Sequence, residues 1–291
     1  MTVASSSGSE TQLARPVNRV AVITHGKVQT IGPALARLES VARDAGVELL
    51  LPEEEVEKHR RGATEAITHA ELVVVLGGDG TMLRALSRFI DTGVPVLGVN
   101  FGRVGFLSSI KAERLEADLA RVFAGEFQVI ELPTLDAEID GQTRVAVNDV
   151  VITSSVLGRM VELGWAIGNE DLGRQPCDGV ICSTPSGSTA YNLSNGGPVL
   201  VWGLDATAVT FVSPHSLHAR PLVVPRGRDT IVWNRTADVP VTVLIDGHPF
   251  VELPPAGRIV VRLGSHRSLL GTLPETTFFT RYRETFVSSP I

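Results

Sequence analysis

The chain has 291 residues, 43% of them hydrophobic and 20% charged, which is enough for two domains or one large α/β unit with a sizeable core. A formal net charge of −6 excludes a broad cationic footprint for nucleic acid or an anionic membrane surface, so anionic ligands would be met by local, focused donors. The only cysteines, Cys177 and Cys182, are too close to read as a disulfide framework and give no CxxC pair for zinc, which fits a reducing cytoplasm.

Residues 1–17 are polar and serine-rich, without the apolar stretch of a signal peptide, and read as a mobile tail. Val20 to Ile23 is a β-branched run that ends in the polar loop Thr24-His25-Gly26-Lys27. A helical stripe follows with Ile31, Leu35, Leu38 and Ala42. Strands are expected again at Val47–Leu51, Leu72–Leu76 and Val94–Val99, and a helix carries Leu115, Leu119 and Val122 on one face. The Leu72–Leu76 run is apolar at every position, as in a parallel strand covered on both faces. Residues 18–131 therefore read as a doubly wound α/β domain that binds ligands at the carboxyl ends of its strands.

From Leu132 helical periodicity gives way to short strands separated by turns. Examples are Leu135–Ile139, Asp140-Gly141, Val145–Val147, Val150–Thr153, Val209–Val212, Thr230–Trp233 and Val241–Ile245. A β-rich, sandwich-like domain over 132–270 is expected, and the aromatic and charged segment 271–291 is expected to pack back on the first domain.

Two segments concentrate chemistry. The buried strand ending at Leu76 runs into Gly77-Gly78-Asp79-Gly80-Thr81, and a helix starting near Thr81 would turn Leu83, Leu86 and Ile90 inward. Glycines let a backbone approach phosphate and leave amides free to donate, while a helix N-terminus favours negative charge. An aspartate in such a turn repels phosphate unless a divalent cation intervenes or it accepts a proton; otherwise it simply caps the helix. Neither a P-loop nor a G-x-G-x-x-G fingerprint is present. The second segment, Asp178 to Asn192, is a short apolar run followed by Ser and Thr hydroxyls around Pro185 and Gly187. Such a loop can offer neutral donors to sugar hydroxyls or phosphates, or can be a Ser/Thr turn that caps a helix. Asn148-Asp149 and Asp246-Gly247-His248 read alone as turns.

In order, these segments resemble the NAD kinase family over most of the chain. GGDGT stands at Gly77–Thr81, an ND pair at Asn148-Asp149, and the long signature DGVICSTPSGSTAYNLSNGGPV at Asp178–Val199. GVNFGRVGFL (Gly98–Leu107), SPHSLHARPLV (Ser213–Val223), the IDG turn at Ile245–Gly247 and the aromatic-basic tail add smaller likenesses. GGDGT alone is shared with diacylglycerol and sphingosine kinases. The polar run Ser183–Tyr191 favours a sugar hydroxyl over an acyl chain.

The resemblance implies transfer of a phosphoryl group from ATP or polyphosphate to the 2′-hydroxyl of the adenosine ribose of NAD, with Mg²⁺ or another divalent cation. It implies that Asp79 is the general base and that Gly77, Gly78, Gly80 and Thr81 form the phosphate turn. By the same likeness Asn148 and Asp149 hold ribose and adenine. Phe106, Ser186, Thr189, Ala190, Tyr191 and Ser194 surround the adenosine, and Asp178 and Asp246 lie toward the nicotinamide. No protein ligand to the metal is assigned. A cytoplasmic homo-oligomer, dimer or tetramer, is implied, with no nucleic acid or membrane as partner. Asp149 replaces the family's commoner Glu, and Pro176 stands where members vary, which bears on the choice between NAD and NADH. A lipid kinase on the same turn, or an NAD-binding regulator without turnover, are the alternatives.

Overall fold

A computed structural model of the chain describes residues 15–26, 28–59, 67–101 and 105–287. They divide into two compact units. The first runs to Ala85 and adds Thr92–Ile130 and the chain from Leu269; the second is Leu86–Asp91 with Glu131–Ser268. Residues 1–14 of the expected tail, Lys27 of the first polar loop and residues 102–104 lie outside the described residues. Val17 does not belong to a tail. It is 6% exposed in the core of the first unit, and its amide donates to the Phe123 carbonyl at 3.0 Å.

In chain order the first unit contains β1 (Arg19–Thr24), α1 (Val28–Ala45), β2 (Glu48–Leu50), α2 (Glu53–His59), β3 (Leu72–Gly77), α3 (from Asp79 to Arg88, its last residues in the second unit), β4 (Val96–Asn100), β5 (Ile110–Lys111) and α4 (Leu115–Phe123). The strands β4-β3-β1-β2 are neighbours in that order and all parallel. All six residues of β3 are buried, because helices cover both faces of a parallel sheet. On α1 the expected stripe Ile31, Leu35, Leu38 and Ala42 is buried against Val20, Val22, Leu72 and Val74.

One expected face is corrected. The helix α3 starts at Asp79, two residues before Thr81; its buried apolar residues are Met82, Ala85 and Leu86, continued by Phe89 just past its end, while Leu83 and, beyond the helix, Ile90 are only half-buried. The i, i+3, i+4, i+7 spacing of the buried set defines one helical stripe, and placing Leu83 inward would have turned that stripe by one position.

The second unit is antiparallel. Its strands are β6 (Gln128–Ile139, entering from the first unit), β7 (Gln142–Ala146), β8 (Asp149–Ser154), β9 (Val161–Ile167), β10 (Glu170–Cys177), β11 (Gly179–Ser183), β12 (Ala206–Val212), β13 (Leu222–Pro225), β14 (Thr230–Asn234), β15 (Val241–Ile245), β16 (His248–Leu253) and β17 (Arg258–Thr272), with the one-turn helix α5 (Tyr191–Ser194) after β11. One layer is β13-β12-β11-β8-β15-β16; the other contains β10-β9-β14 and the first part of β17. Their inner faces share a core that includes Ile152, Val180, Val209 and Val243 from the first layer and Leu163, Val232 and Ile259 from the second. Two of the tight hairpins turn at Asp140-Gly141 (φ 48° and 80°) and Asp246-Gly247 (φ 48° and 79°). Left-handed backbone at both positions is what a two-residue hairpin needs to match strand twist, and Asp-Gly supplies it at low cost. The chain then ends in the first unit with the end of β17 beside β4 and the helix α6 (Phe278–Tyr282).

Leu38 is fully buried on α1. Truncating it leaves a cavity as well as losing transfer energy, so Leu38→Ala is expected to lower stability by about 2–5 kcal/mol, read as a shift of the urea unfolding midpoint.

Candidate active site

Asp79 stands at the exit of β3, where the glycine turn becomes α3. It does not act as the helix cap. The amides of Thr81 and Met82 bond to the Gly78 carbonyl at 2.9 and 3.0 Å, while the Asp79 carboxylate accepts from two amides elsewhere, Phe106 N to Oδ2 at 2.8 Å and Leu107 N to Oδ1 at 3.2 Å. Each carboxylate oxygen keeps a further acceptor position. Gly105 is required here, since a Cβ on it would fall inside the Asp79 carboxylate.

The glycines of the turn differ in what demands them. A side chain at Gly77 would run into Thr81, with a Cβ only 2.7 Å from Thr81 Oγ1. A Cβ at Gly78 or Gly80 would meet nothing within 4 Å, and neither has the left-handed backbone that favours glycine. Packing therefore does not explain Gly78 and Gly80. Space over the turn and a helix N-terminus together suit an anionic ligand that approaches the backbone.

In the second unit Asn148 and Asp149 sit at the start of β8, on the IDG turn. The Asp246 carboxylate accepts from Val147 N (2.9 Å), Asn148 N (2.7 Å) and Asp149 N (3.1 Å), and Ser87 Oγ donates to it at 3.3 Å. In return the Asp246 amide donates to the Asp149 carbonyl at 3.0 Å. Asp246 thus serves as the anchor of the 147–149 backbone, with its oxygens committed to protein donors. Charge-assisted amide bonds of this kind contribute on the order of 1.5–3 kcal/mol each.

Asp149 is 6% exposed. Burial, with the neighbouring Asp246 charge as the smaller cause, raises its carboxyl from 3.8 to about 7. Near neutral pH it is poised between a proton donor and an acceptor. Asn148 is steered by Ser186, whose Oγ donates to Asn148 Oδ1 at 3.1 Å. Gly187 has no room for a Cβ, which would land on the Asn148 carbonyl oxygen.

Of the two readings open for the hydroxyl-rich run, the turn accounts for most of its hydroxyls. Residues 181–188 are all buried, and most of their hydroxyls hold the turn itself. Thr184 Oγ1 donates to the Val147 carbonyl (2.7 Å) and accepts from Gly187 N (3.0 Å). Ser188 Oγ donates to the Pro185 carbonyl (2.7 Å) and accepts from Leu200 N (2.9 Å). Asn192, fully buried, donates to the Ser188 and Pro198 carbonyls and accepts from Thr210 Oγ1 at 2.7 Å. Thr189 Oγ1 donates back to the Ser186 carbonyl at 3.4 Å. The residues left outward are Ala190, Tyr191 (45% exposed) and Ser194. Asp178 is also exposed, and its carbonyl accepts from Ser154 N and Thr153 Oγ1.

Phe106 is buried in the first unit, with ring centroids 5.8 Å from Phe278 and 5.6 Å from Phe286. Two features escaped the sequence reading. Arg281, on α6, is 4% exposed and donates to the Gly105 carbonyl at 2.9 Å and to the Ser108 carbonyl. Its signal was the alternation of aromatic and basic residues in the tail. At the end of β1, Glu55 receives the Thr24 amide (3.0 Å) and hydroxyl (2.6 Å) and pairs with Lys58 at 2.7 Å. Nothing in the acidic run Glu53–Glu55 marked one member as buried.

Comparison with known proteins follows the same two units. A family model described as ATP-NAD kinase N-terminal domain matches residues 2–127, and one described as ATP-NAD kinase C-terminal domain matches 147–270. The chain is 38% identical over 225 residues to the NAD kinase of Heliobacterium modesticaldum, covering 76% of this chain and 80% of that one. It is 35% identical over 265 residues to the NAD kinase of Corynebacterium diphtheriae, covering 85% and 84%. The chain belongs to the NAD kinase family. Two solved structures share its fold: yeast NADH kinase complexed with NADH (TM-score 0.81, 23% identity, 94% of this chain and 89% of that one) and an Archaeoglobus fulgidus NAD kinase in complex with ATP (TM-score 0.73, 24% identity, 91% and 98%).

The raised carboxyl of Asp149 has a consequence for stability. A folded state that holds a proton which the unfolded chain releases above about pH 4 loses stability as the pH climbs from about 4 to about 7, and the loss is then constant. The amount is on the order of a few kcal/mol. Asp149→Asn removes the titration, so its thermal unfolding midpoint is expected to fall less than that of the parent chain between pH 5 and pH 7.5; parallel curves would contradict it.

Proposed function

We propose that Asp79 is the general base of the family's reaction, in which this chain phosphorylates NAD with ATP to give NADP. The observation that carries the reading is the carboxylate fixed by two amides at the mouth of a glycine turn whose Gly78 and Gly80 face open space. Asp79 accepts the proton of the ribose 2′-hydroxyl as its oxygen attacks the terminal phosphorus of the donor. One O–P bond forms, the bond to the bridging oxygen breaks, and the shortened donor leaves. Such transfers proceed through a loose transition state that needs little covalent help, so positioning and charge stabilisation dominate.

Backbone amides around Gly78 and Gly80 receive the donor's phosphate oxygens. Inorganic polyphosphate presents the same oxygens, and the reading includes it beside ATP. Mg²⁺ would be held largely by the donor's own phosphates, as is usual for this cation. Asn148 and Asp149 recognise the adenosine ribose and adenine; the fixed side chain of Asn148 and the titratable carboxyl of Asp149 suit hydrogen bonds to both. Thr189, Ala190, Tyr191 and Ser194 complete the adenosine contacts, with Ser186 acting through Asn148 and Phe106 behind the Asp79 amides. Asp178 lies toward the nicotinamide; Asp246 contributes by holding residues 147–149.

The protein works as a homo-oligomer. Support comes from the apolar side chains the second unit leaves in solvent, among them Leu157, Met160, Leu172 and Leu217, a quantity of exposed apolar surface that favours self-association. We assign the reaction to the cytoplasm, in line with two free, buried cysteines whose thiols burial raises to about 12; no helix among the described residues is long and apolar enough to cross a membrane.

Asp79→Asn is expected to lower kcat by ~10²–10⁴-fold with nearly unchanged KM for NAD, measured as NADP formed from NAD, ATP and Mg²⁺. Turnover at the parent rate would remove Asp79 as base, and a parent chain that binds NAD without forming NADP would be a silent binder. Light scattering behind size exclusion is expected to return a dimer or tetramer mass; a monomer at working concentrations would overturn the assembly.

A further inference from the structure

We infer that Arg281 is a positioning residue for the transfer step, its guanidinium clamping the 105–108 segment so that the amides of Phe106 and Leu107 hold Asp79 in its working orientation. The inference rests on the reading of Asp79 as base.

The connection is short and continuous. Arg281 Nη1 donates to the Gly105 carbonyl at 2.9 Å and Nη2 to the Ser108 carbonyl. Between those two carbonyls lie the two amides that bond the Asp79 carboxylate, at 2.8 and 3.2 Å. A planar fork bonded at both ends of a four-residue segment fixes its path in a way one ammonium cannot. Gly105 leaves no slack, since a Cβ built on it would lie 2.2 Å from Asp79 Oδ1. Phe278 and Phe286, from the same terminal stretch as Arg281, pack around the Phe106 ring at 5.8 and 5.6 Å. The end of the chain thus grips the segment by its carbonyls and by its one aromatic side chain.

Stability alone does not account for this arginine. It is 4% exposed, its direct partners are carbonyl oxygens rather than a carboxylate, and its Nε is buried without a hydrogen-bond partner. Burying a guanidinium that way is costly, and an apolar side chain of similar volume would serve packing better. Burial lowers the group to about 10, against the opposing pull of Asp79 and Glu284, so it stays charged at neutral pH.

The test compares Arg281→Ala, Arg281→Lys and Asp79→Asn with the parent enzyme, using NADP formation and thermal unfolding. A small displacement of a catalytic group is enough to cost about 10²-fold, so Arg281→Ala is expected to lose about that much in kcat with KM for NAD nearly unchanged. Arg281→Lys, which keeps the charge but can reach one carbonyl, is expected to fall between. Millimolar guanidinium, far below denaturing concentrations, is expected to restore part of the kcat of Arg281→Ala while leaving the parent and Asp79→Asn unmoved. A folded Arg281→Ala with parental kcat overturns the inference, as does a loss that tracks only the unfolded fraction and ignores guanidinium. If Arg281→Ala does not fold, Arg281→Lys decides: full kcat overturns, reduced kcat in a stable protein with unchanged KM supports. Parental turnover in Asp79→Asn would instead defeat the base assignment, and an inactive Asp79→Asn beside a normal Arg281→Ala would defeat the positioning role alone.

Discussion

The carboxylate of Asp79 and the two amides that hold it are the constraint around which the first unit is arranged. A buried parallel strand must release its chain into a loop at its carboxyl end, and here the release leads straight into a helix. The turn gathers helix N-terminal amides and a carboxylate within three residues, an electrostatic conflict unless the carboxylate is oriented. Amide donors from a separate segment supply that orientation without drawing on the amides of the turn itself.

The second unit repeats the device with opposite emphasis. Asp246, in a left-handed hairpin position, spends its charge on the three amides of residues 147–149, and the hydroxyls of Thr184, Ser186 and Ser188 are spent on the adjoining turn. The result is a stiff frame from which few groups project. Asn148 and Asp149 are presented by a backbone that cannot shift without breaking several buried bonds, and the raised carboxyl of Asp149 follows from that same enclosure. Rigid support with a small number of free polar groups is the arrangement that discriminates among ligands by shape and hydrogen bonding.

Reading roles from composition works only where a side chain has one thing to do. The glycine turn was legible because glycine, aspartate and a preceding apolar run have few joint explanations. The serine and threonine run was not, because a hydroxyl satisfies a backbone group and a ligand equally well. Whether Thr184 faces a ligand or the Val147 carbonyl depends on β8 lying beside β11, a pairing between residues far apart in sequence. Arg281 was hidden for the same reason: its partners are carbonyls at Gly105 and Ser108, which carry no side-chain signature.

The sequence by itself determined the alternation of strands and helices in the first half, the β-rich second half, the glycine turn after a buried strand and, through its motifs, the family. Those are properties of local periodicity and of residues whose backbone or charge allows little else. Tertiary structure alone decided where α3 turns its apolar stripe, that Val17 is core rather than tail, that Asp246 anchors a neighbouring strand, and that the end of the chain holds the segment that holds Asp79. Each of these depends on burial and on backbone groups brought together from distant positions, and neither quantity is written in the identity of any single residue.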